Sequence, residues 1–151
     1  MFTFREQVYK LNAQNIMTAP ARTFEIDLLK RALQALANTT GLVGKITDQE
    51  PLVGPNRRPD ATIEIEAQGH RFEYLVEIKR TIDRVVLLAN VKAQLREAGD
   101  QGLLITDHMT PVMANRCRTE LDLQFVDTNG NAYLRQPGLY VFVKGEQPAD
   151  G

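Results

Sequence analysis

The chain predicts an α/β domain, a central mixed sheet flanked by helices, and three observations carry that expectation. Segments of two-residue alternation are interleaved with segments whose apolar residues recur at helical spacing. A hairpin pattern over 60–80 is followed by a helical pattern and then the short apolar run LLIT at 103–106. That is the spacing of a crossover connection, which joins parallel strands. Finally, 43% apolar and 25% charged residues over 151 positions are ordinary for a globular chain, which at this length buries about 70% of its unfolded surface.

Residues 1–20 are mixed and end in Ala19-Pro20, which reads as an arm or short helix packed on the domain. The first clear helix spans about Thr23 to Asn38. Thr23 is placed as its N-cap, Leu28, Leu29, Ala32, Leu33 and Leu36 form its apolar stripe, and Gly41 stops it. A strand with breaks covers Gly41 to Val53, and Gly54-Pro55-Asn56 turns the chain. From Asp60 to Ala67 the alternation is strict: Ala61, Ile63, Ile65 and Ala67 share one face, and Asp60, Thr62, Glu64 and Glu66 the other. Gln68-Gly69-His70 supplies a turn into the second arm, Arg71 to Arg80.

A helix follows from about Ile82 to Ala98, with Val85, Leu88, Val91 and Leu95 at helical spacing and Gly99 as its stop. On it, Lys92 and Arg96 read as a solvated face. After the 103–106 strand, Thr110-Pro111 is an N-cap and N1 pair that opens a helix to about Glu120. Leu123 to Asp127 forms the next strand, Asn129-Gly130 is a hairpin turn before Ala132-Tyr133-Leu134, and Pro137-Gly138 turns the chain into Leu139 to Lys144. The domain is placed at 1–145, with 146–151 a flexible tail or a truncation point.

Composition narrows the function classes. One cysteine, Cys117, leaves no internal disulfide and no cysteine zinc cluster, and fits a reducing cytoplasm. MFTFREQVYK has no apolar signal core and no run approaches a membrane span, so the expectation is a cytoplasmic protein without a membrane partner. A formal net charge of −1 argues against strong non-specific nucleic-acid binding, so any such surface must be local.

The second hairpin arm carries the chemical signal. Phe72, Tyr74, Leu75, Val76 and Ile78 mark it as a central strand, yet it also holds Glu77 and Lys79, on one face and roughly 6–7 Å apart along the strand. Burying an unpaired charge there is expensive. Asp60 begins the neighbouring arm, so a suitable register brings two carboxylates to one hard cation such as Mg²⁺, which takes only one or two and keeps the rest of its shell for water and phosphate. Lys79 can then stabilise charge developing on that phosphate. A structural alternative stays open, in which Lys79 simply neutralises Glu77 and Asp60.

Pro59-Asp60 with Glu77-Ile78-Lys79 seventeen residues on resembles the PD-(D/E)xK signature of restriction-endonuclease-like nucleases. The resemblance implies Asp60 and Glu77 as ligands of Mg²⁺ or Mn²⁺, the Ile78 carbonyl as a third ligand, Lys79 as the catalytic lysine, and Glu25 of the first helix as an additional acidic residue. The implied fold is a restriction-endonuclease-like α/β sandwich. Arg57 and Arg58 precede the motif and Arg80 and Arg84 follow it, placed to hold nucleic-acid phosphates. For Glu25 the dipole of its helix, and for Arg57 and Arg58 a solvated loop, are the competing readings.

A wider stretch, from YLVEIKR through LLITDHMTPVMANRCRTELDLQFVDTNGNAYL to PGLYVFVKG, is similar to the nuclease-like part of AbiEi-type antitoxins, transcriptional regulators of type IV toxin–antitoxin systems. FVDTNGNAYL, 125–134, is its most specific piece. The resemblance implies association with DNA and a toxin partner. No helix-turn-helix pattern follows Gly145, so the chain reads as one domain of a longer architecture or as a relative lacking the DNA-reading half. Two functions are therefore carried forward: an active Mg²⁺-dependent endonuclease, and a regulator's DNA- or protein-binding module on the same fold. Asp107-His108, at the end of the 103–106 strand, is placed as structural, with a metal or base role as the alternative.

Overall fold

Among the described residues, seven strands hydrogen-bond in the order in which the chain makes them, and alternation of side chains across them builds two separate cores. The computed structural model describes residues 23–49 and 59–148. The first helix, α1, covers 23–40. Its stripe Leu28, Leu29, Ala32, Leu33 and Leu36 is buried as its spacing predicts. Thr23 is already helical, so it is not the N-cap. The helix also outlasts Asn38, because the Thr40 hydroxyl donates back to the Leu36 carbonyl at 2.6 Å. Gly41 ends it in the left-handed region (φ +80°), its N–H bonded to the Ala37 carbonyl at 2.8 Å.

Strand β1 (Val43–Gln49) forms one sheet edge, antiparallel to β2 (Ala61–Ala67). The rest of the expected first strand and its Gly54-Pro55-Asn56 turn lie outside the described residues, as do the 1–20 arm, Arg57 and Arg58. β2 and β3 (His70–Ile78) form the expected hairpin. Its turn is shorter than expected: Gln68 and Gly69 both have positive φ (+53° and +81°), the signature of a two-residue hairpin loop, and His70 belongs to β3, paired with Ala67. That turn sets Ala61 against Val76.

The crossover helix is shorter than its apolar pattern. α2 covers Val85–Gln94, with Arg84 extended at its N-cap (φ −144°, ψ 145°), and Ile82 is buried ahead of it. A 3₁₀ segment, Arg96–Gln101, bends at Gly99 (φ +58°) and delivers the chain to β4 (Gly102–Thr106), every residue of which is buried. β4 runs parallel to β3, as the crossover predicts, and β5 (Phe125–Asp127) runs parallel to β4. Between them, α3 (Pro111–Arg116) is capped by Thr110, whose hydroxyl accepts the Met113 N–H at 3.3 Å. A π-helical turn, Cys117–Leu121, extends it to Asp122, which reverses the chain at φ +49°. β6 (Ala132–Gln136) and β7 (Leu139–Val143) complete the sheet as an antiparallel meander.

The two faces are covered by different helices. Ala61, Ile63, Tyr74, Val76, Ile78, Leu103, Ile105 and Val126 pack with the α1 stripe. Leu104, Phe125 and Tyr133 face the other way, against Leu88 and Val91 of α2 and Ala114 of α3. Among the described residues no helix is long and apolar enough to cross a membrane.

Candidate functional site

Asp60 sits at the open end of the β2–β3 hairpin. Its N–H donates to the Val76 carbonyl at 2.9 Å, although Val76 is registered with Ala61, so two successive residues of the first arm address one residue of the second. This irregular end frees the Asp60 side chain from the ladder pattern, and its Oδ2 accepts the backbone N–H of Ile78 at 2.7 Å. The carboxylate is therefore seated on the middle residue of Glu77-Ile78-Lys79. The N–H and C=O of a strand residue point to the same neighbouring strand. The Ile78 carbonyl accordingly points toward the Asp60 side as well.

Glu77 and Lys79 share the opposite face from Val76 and Ile78 by the two-residue period, and that is the α2 face. Glu77 pairs in register with Leu104, a member of the α2-side core, and its side chain is 18% exposed. Lys79 Nζ lies 4.0 Å from Glu77 Oε2 and its side chain is 40% exposed. The backbone beneath is fixed, since the Lys79 N–H donates to the Ile105 carbonyl at 2.9 Å. Beyond the pair lies a cavity of about 300 Å³ between the end of β3 and α2, with Lys79 in its wall.

The flanking cations separate. Arg80 turns to the α1 face, where its guanidinium stacks over the Phe24 ring, 4.2 Å from the ring centre. That contact sets the start of α1 against Arg80, on the face of the sheet opposite Glu77 and Lys79. Arg84 remains exposed, 3.6 Å from Asp83. The Arg80 carbonyl accepts from the Asp107 N–H at 3.2 Å, and the Asp107 carbonyl in turn accepts from the Thr128 hydroxyl at 2.6 Å. The ends of β3, β4 and β5 are thus stitched together next to the site.

The donor set suits a hard cation. Two carboxylates and a backbone carbonyl are oxygen ligands, and two carboxylates are as many as Mg²⁺ takes from a protein. Among the described residues no three His, Cys, Asp or Glu side chains group as a ready-made metal cage. Asp60, Glu77 and the Ile78 carbonyl supply the kind of oxygen donors that a hard cation takes.

Asp127 is a hub that the spacing of charges did not single out. It is fully buried and accepts four N–H groups at 2.7–2.9 Å: those of Met109, Asn129 and Asn131, and the Asn131 side-chain amide. Burial raises its pKa while these donors pull it down, with burial the larger effect. His108 Nδ1 lies 2.7 Å from Asn129 Oδ1 and 3.7 Å from Asp127 Oδ2. Asn131 also exchanges two hydrogen bonds with the Glu146 backbone, at 2.9 and 3.0 Å, so the polar C-terminal stretch is tied down at its start. The signal was present as Asp-x-Asn-Gly-Asn, since Asp and Asn fold side chains onto nearby N–H groups in turns.

A second unanticipated cluster surrounds Asp122. Arg135 grips it through Nε and Nη2, and the Arg135 guanidinium holds its carboxyl below the usual range. The Asp122 carbonyl accepts from Lys92 Nζ at 2.8 Å, so Lys92 is not simply solvated. Against known proteins, no family model matches the chain, and no curated protein or solved structure matches it.

Proposed function

We propose that this domain is a metal-dependent phosphodiesterase centre acting on nucleic acid, DNA in the first instance, built on a restriction-endonuclease-like α/β sandwich. The observation that carries the reading is the 2.7 Å contact from Ile78 N–H to Asp60 Oδ2, which seats one carboxylate of the motif on the backbone between the other two members. The element order supports it: helix, three antiparallel strands, crossover helix and parallel strand, with the motif at the end of the hairpin.

In this reading Asp60, Glu77 and the Ile78 carbonyl hold Mg²⁺ or Mn²⁺, which when bound supplies Lewis-acid polarisation of the phosphate. Lys79 stands beside Glu77, where its ammonium offsets the charge that develops on the phosphate as the bond to the leaving oxygen breaks. Glu77 holds the Lys79 ammonium beside it on this face, at 4.0 Å. Glu25, in the first turn of α1, is in this reading the additional acidic residue, and the exposed Arg84 offers a cation to the adjoining backbone phosphate.

A second reading has one observation in its favour: Glu77 and Lys79 lie 4.0 Å apart and offset each other's charge. In that reading the domain belongs to an AbiEi-type, DNA-associated regulator with a toxin partner, and the charged centre is scaffold. Cleavage of labelled single- and double-stranded DNA with Mg²⁺ or Mn²⁺, beside EDTA and Lys79→Ala, separates them. Metal-dependent cutting lost in the variant is the expected result. No cutting of any strand, with no cation-induced rise in melting temperature, overturns the phosphodiesterase reading.

A further inference from the structure

We propose that the cavity between the end of β3 and α2 is a nucleobase pocket, taking an unpaired base from the strand whose phosphate lies at Glu77 and Lys79. The inference rests on the phosphodiesterase reading and names its substrate class: nucleic acid with an unstacked base beside the scissile phosphate.

Size is the first argument. At about 300 Å³ the cavity is at the lower limit of ligand pockets, which suits a base and part of its sugar rather than a folded peptide or a large cofactor. The wall is the second. α2 contributes Leu87, Asn90, Val91 and Gln94, which helical spacing lays along one line. Ile82, Leu87 and Val91, packed in one apolar cluster, give an apolar surface for a base's flat face. Asn90 and Gln94, with Thr81, give neutral amide and hydroxyl groups, able both to donate and to accept. Side-chain amides match the paired donor and acceptor on a base edge, as Asn and Gln do with adenine.

Charge is the third argument. Among the described residues no carboxylate lines the cavity and the one cation in its wall is Lys79, which also stands 4.0 Å from Glu77. A neutral pocket with an ammonium at the side of the carboxylate site fits a nucleotide, whose base is neutral and whose phosphate is not. The geometry also answers the problem posed by the chain's net charge of −1, which is poorly suited to holding a phosphate backbone by charge alone. A base held in the pocket supplies affinity that charge does not. In a duplex that base is stacked and paired, so entry costs unstacking energy and single strands bind better.

The test is equilibrium binding of labelled short single strands to the whole chain, read by fluorescence anisotropy in EDTA so that cutting plays no part. One strand carries its bases, one is abasic with the same phosphates, and one is annealed to its complement. The base-bearing single strand should bind about tenfold more tightly than the abasic one. Asn90→Leu with Gln94→Leu, at two exposed positions, should abolish that gap and leave abasic affinity as it was. Equal affinity for the two single strands, or a gap that survives the double variant, overturns the pocket. If such equality accompanies metal-dependent cutting of both strands, the pocket alone fails. Failure to bind or cut any strand overturns the pocket and the phosphodiesterase reading together.

Discussion

The Asp60 carboxylate accepts the Ile78 N–H at 2.7 Å, so this side chain completes the hairpin's hydrogen bonding as well as facing the motif. Structure and charge can be separated by substitution. Asp60→Asn retains an oxygen for the Ile78 N–H and should fold with little loss of stability. Asp60→Ala leaves a partly buried N–H without that partner, at a cost of about 1–3 kcal/mol. Both should abolish any rise in melting temperature produced by Mn²⁺ in the parent. A rise retained by Asp60→Asn would remove Asp60 from the cation site.

The Asn129-Gly130 turn is locked to the end of α1. The Thr39 hydroxyl donates to the Gly130 carbonyl at 2.8 Å, and Gly130 has φ +90°. A Cβ there would stand 2.3 Å from Thr39 Cγ2 and 2.9 Å from the Ala35 carbonyl oxygen. Gly130→Ala should therefore combine backbone strain with a clash that α1 cannot relieve, costing about 3 kcal/mol by thermal or urea unfolding. Gly145, at φ +93° with nothing within 4 Å, isolates the strain term, and Gly145→Ala should cost about 1 kcal/mol. Equal losses at the two sites would show that the turn does not bear on α1.

Alternation in 60–67 and the helical stripe of α1 were legible because each element buries one face, which only one period satisfies. Proximity of Asp60 to Glu77-Ile78-Lys79 was legible only in outline. It depends on register, hence on whether His70 belongs to turn or strand, and glycine at 69 is compatible with both. α2 was overextended because Ile82 and Leu95 continue its apolar spacing from outside the helix. Arg80 was grouped with Arg84 because both follow the motif, while its stacking on Phe24 joins elements that only the tertiary fold brings together. The Asp127 hub and the amides of the cavity were missed for a different reason. Asp127 draws three of its donors from Asn129 and Asn131, within four residues, so a turn signal and not a charge pattern marks it, while the cavity amides lie on a helix line that no charge pattern marks.

Cys117 is fully buried and makes a pH prediction with a definite sign. Burial pushes its thiol up from an ordinary 9.0 to about 12. Between these values the unfolded chain loses a proton that the folded chain keeps, so folding stability is fully present below pH 9 and is lost as pH rises. The loss should approach 1.4 kcal/mol per pH unit, on the order of the linkage limit. Tyr74 and Tyr133, both raised by burial, add to the slope as pH nears their ordinary 10.0, so the difference between the parent and Cys117→Ala isolates the thiol. Urea unfolding of the parent and Cys117→Ala from pH 9 to 10 should give a falling and a flatter line respectively. Native Cys117 should also resist alkylation at pH 8, since the thiolate is the reactive form. Parallel slopes, or rapid alkylation without unfolding, would show that the side chain is not enclosed as described.

Gln124 joins three segments through one buried amide. Its Oε1 accepts the Tyr74 hydroxyl at 2.7 Å and the Arg135 N–H at 2.6 Å, and its Nε2 donates to the Asp100 carbonyl at 2.8 Å. Tyr74 is fully buried and Gln124 is 3% exposed, so water cannot readily replace either partner. Tyr74→Phe removes one donor and leaves Oε1 bonded to Arg135, and should cost about 1 kcal/mol. Gln124→Leu strands the Tyr74 hydroxyl, the Arg135 N–H and the Asp100 carbonyl at once, and should cost about 3 kcal/mol or more. The two losses should not add, because the phenylalanine variant has no hydroxyl left to strand. A double-mutant cycle by urea unfolding should therefore return a coupling of about 1 kcal/mol. An additive cycle would mean that the Tyr74 hydroxyl is satisfied elsewhere.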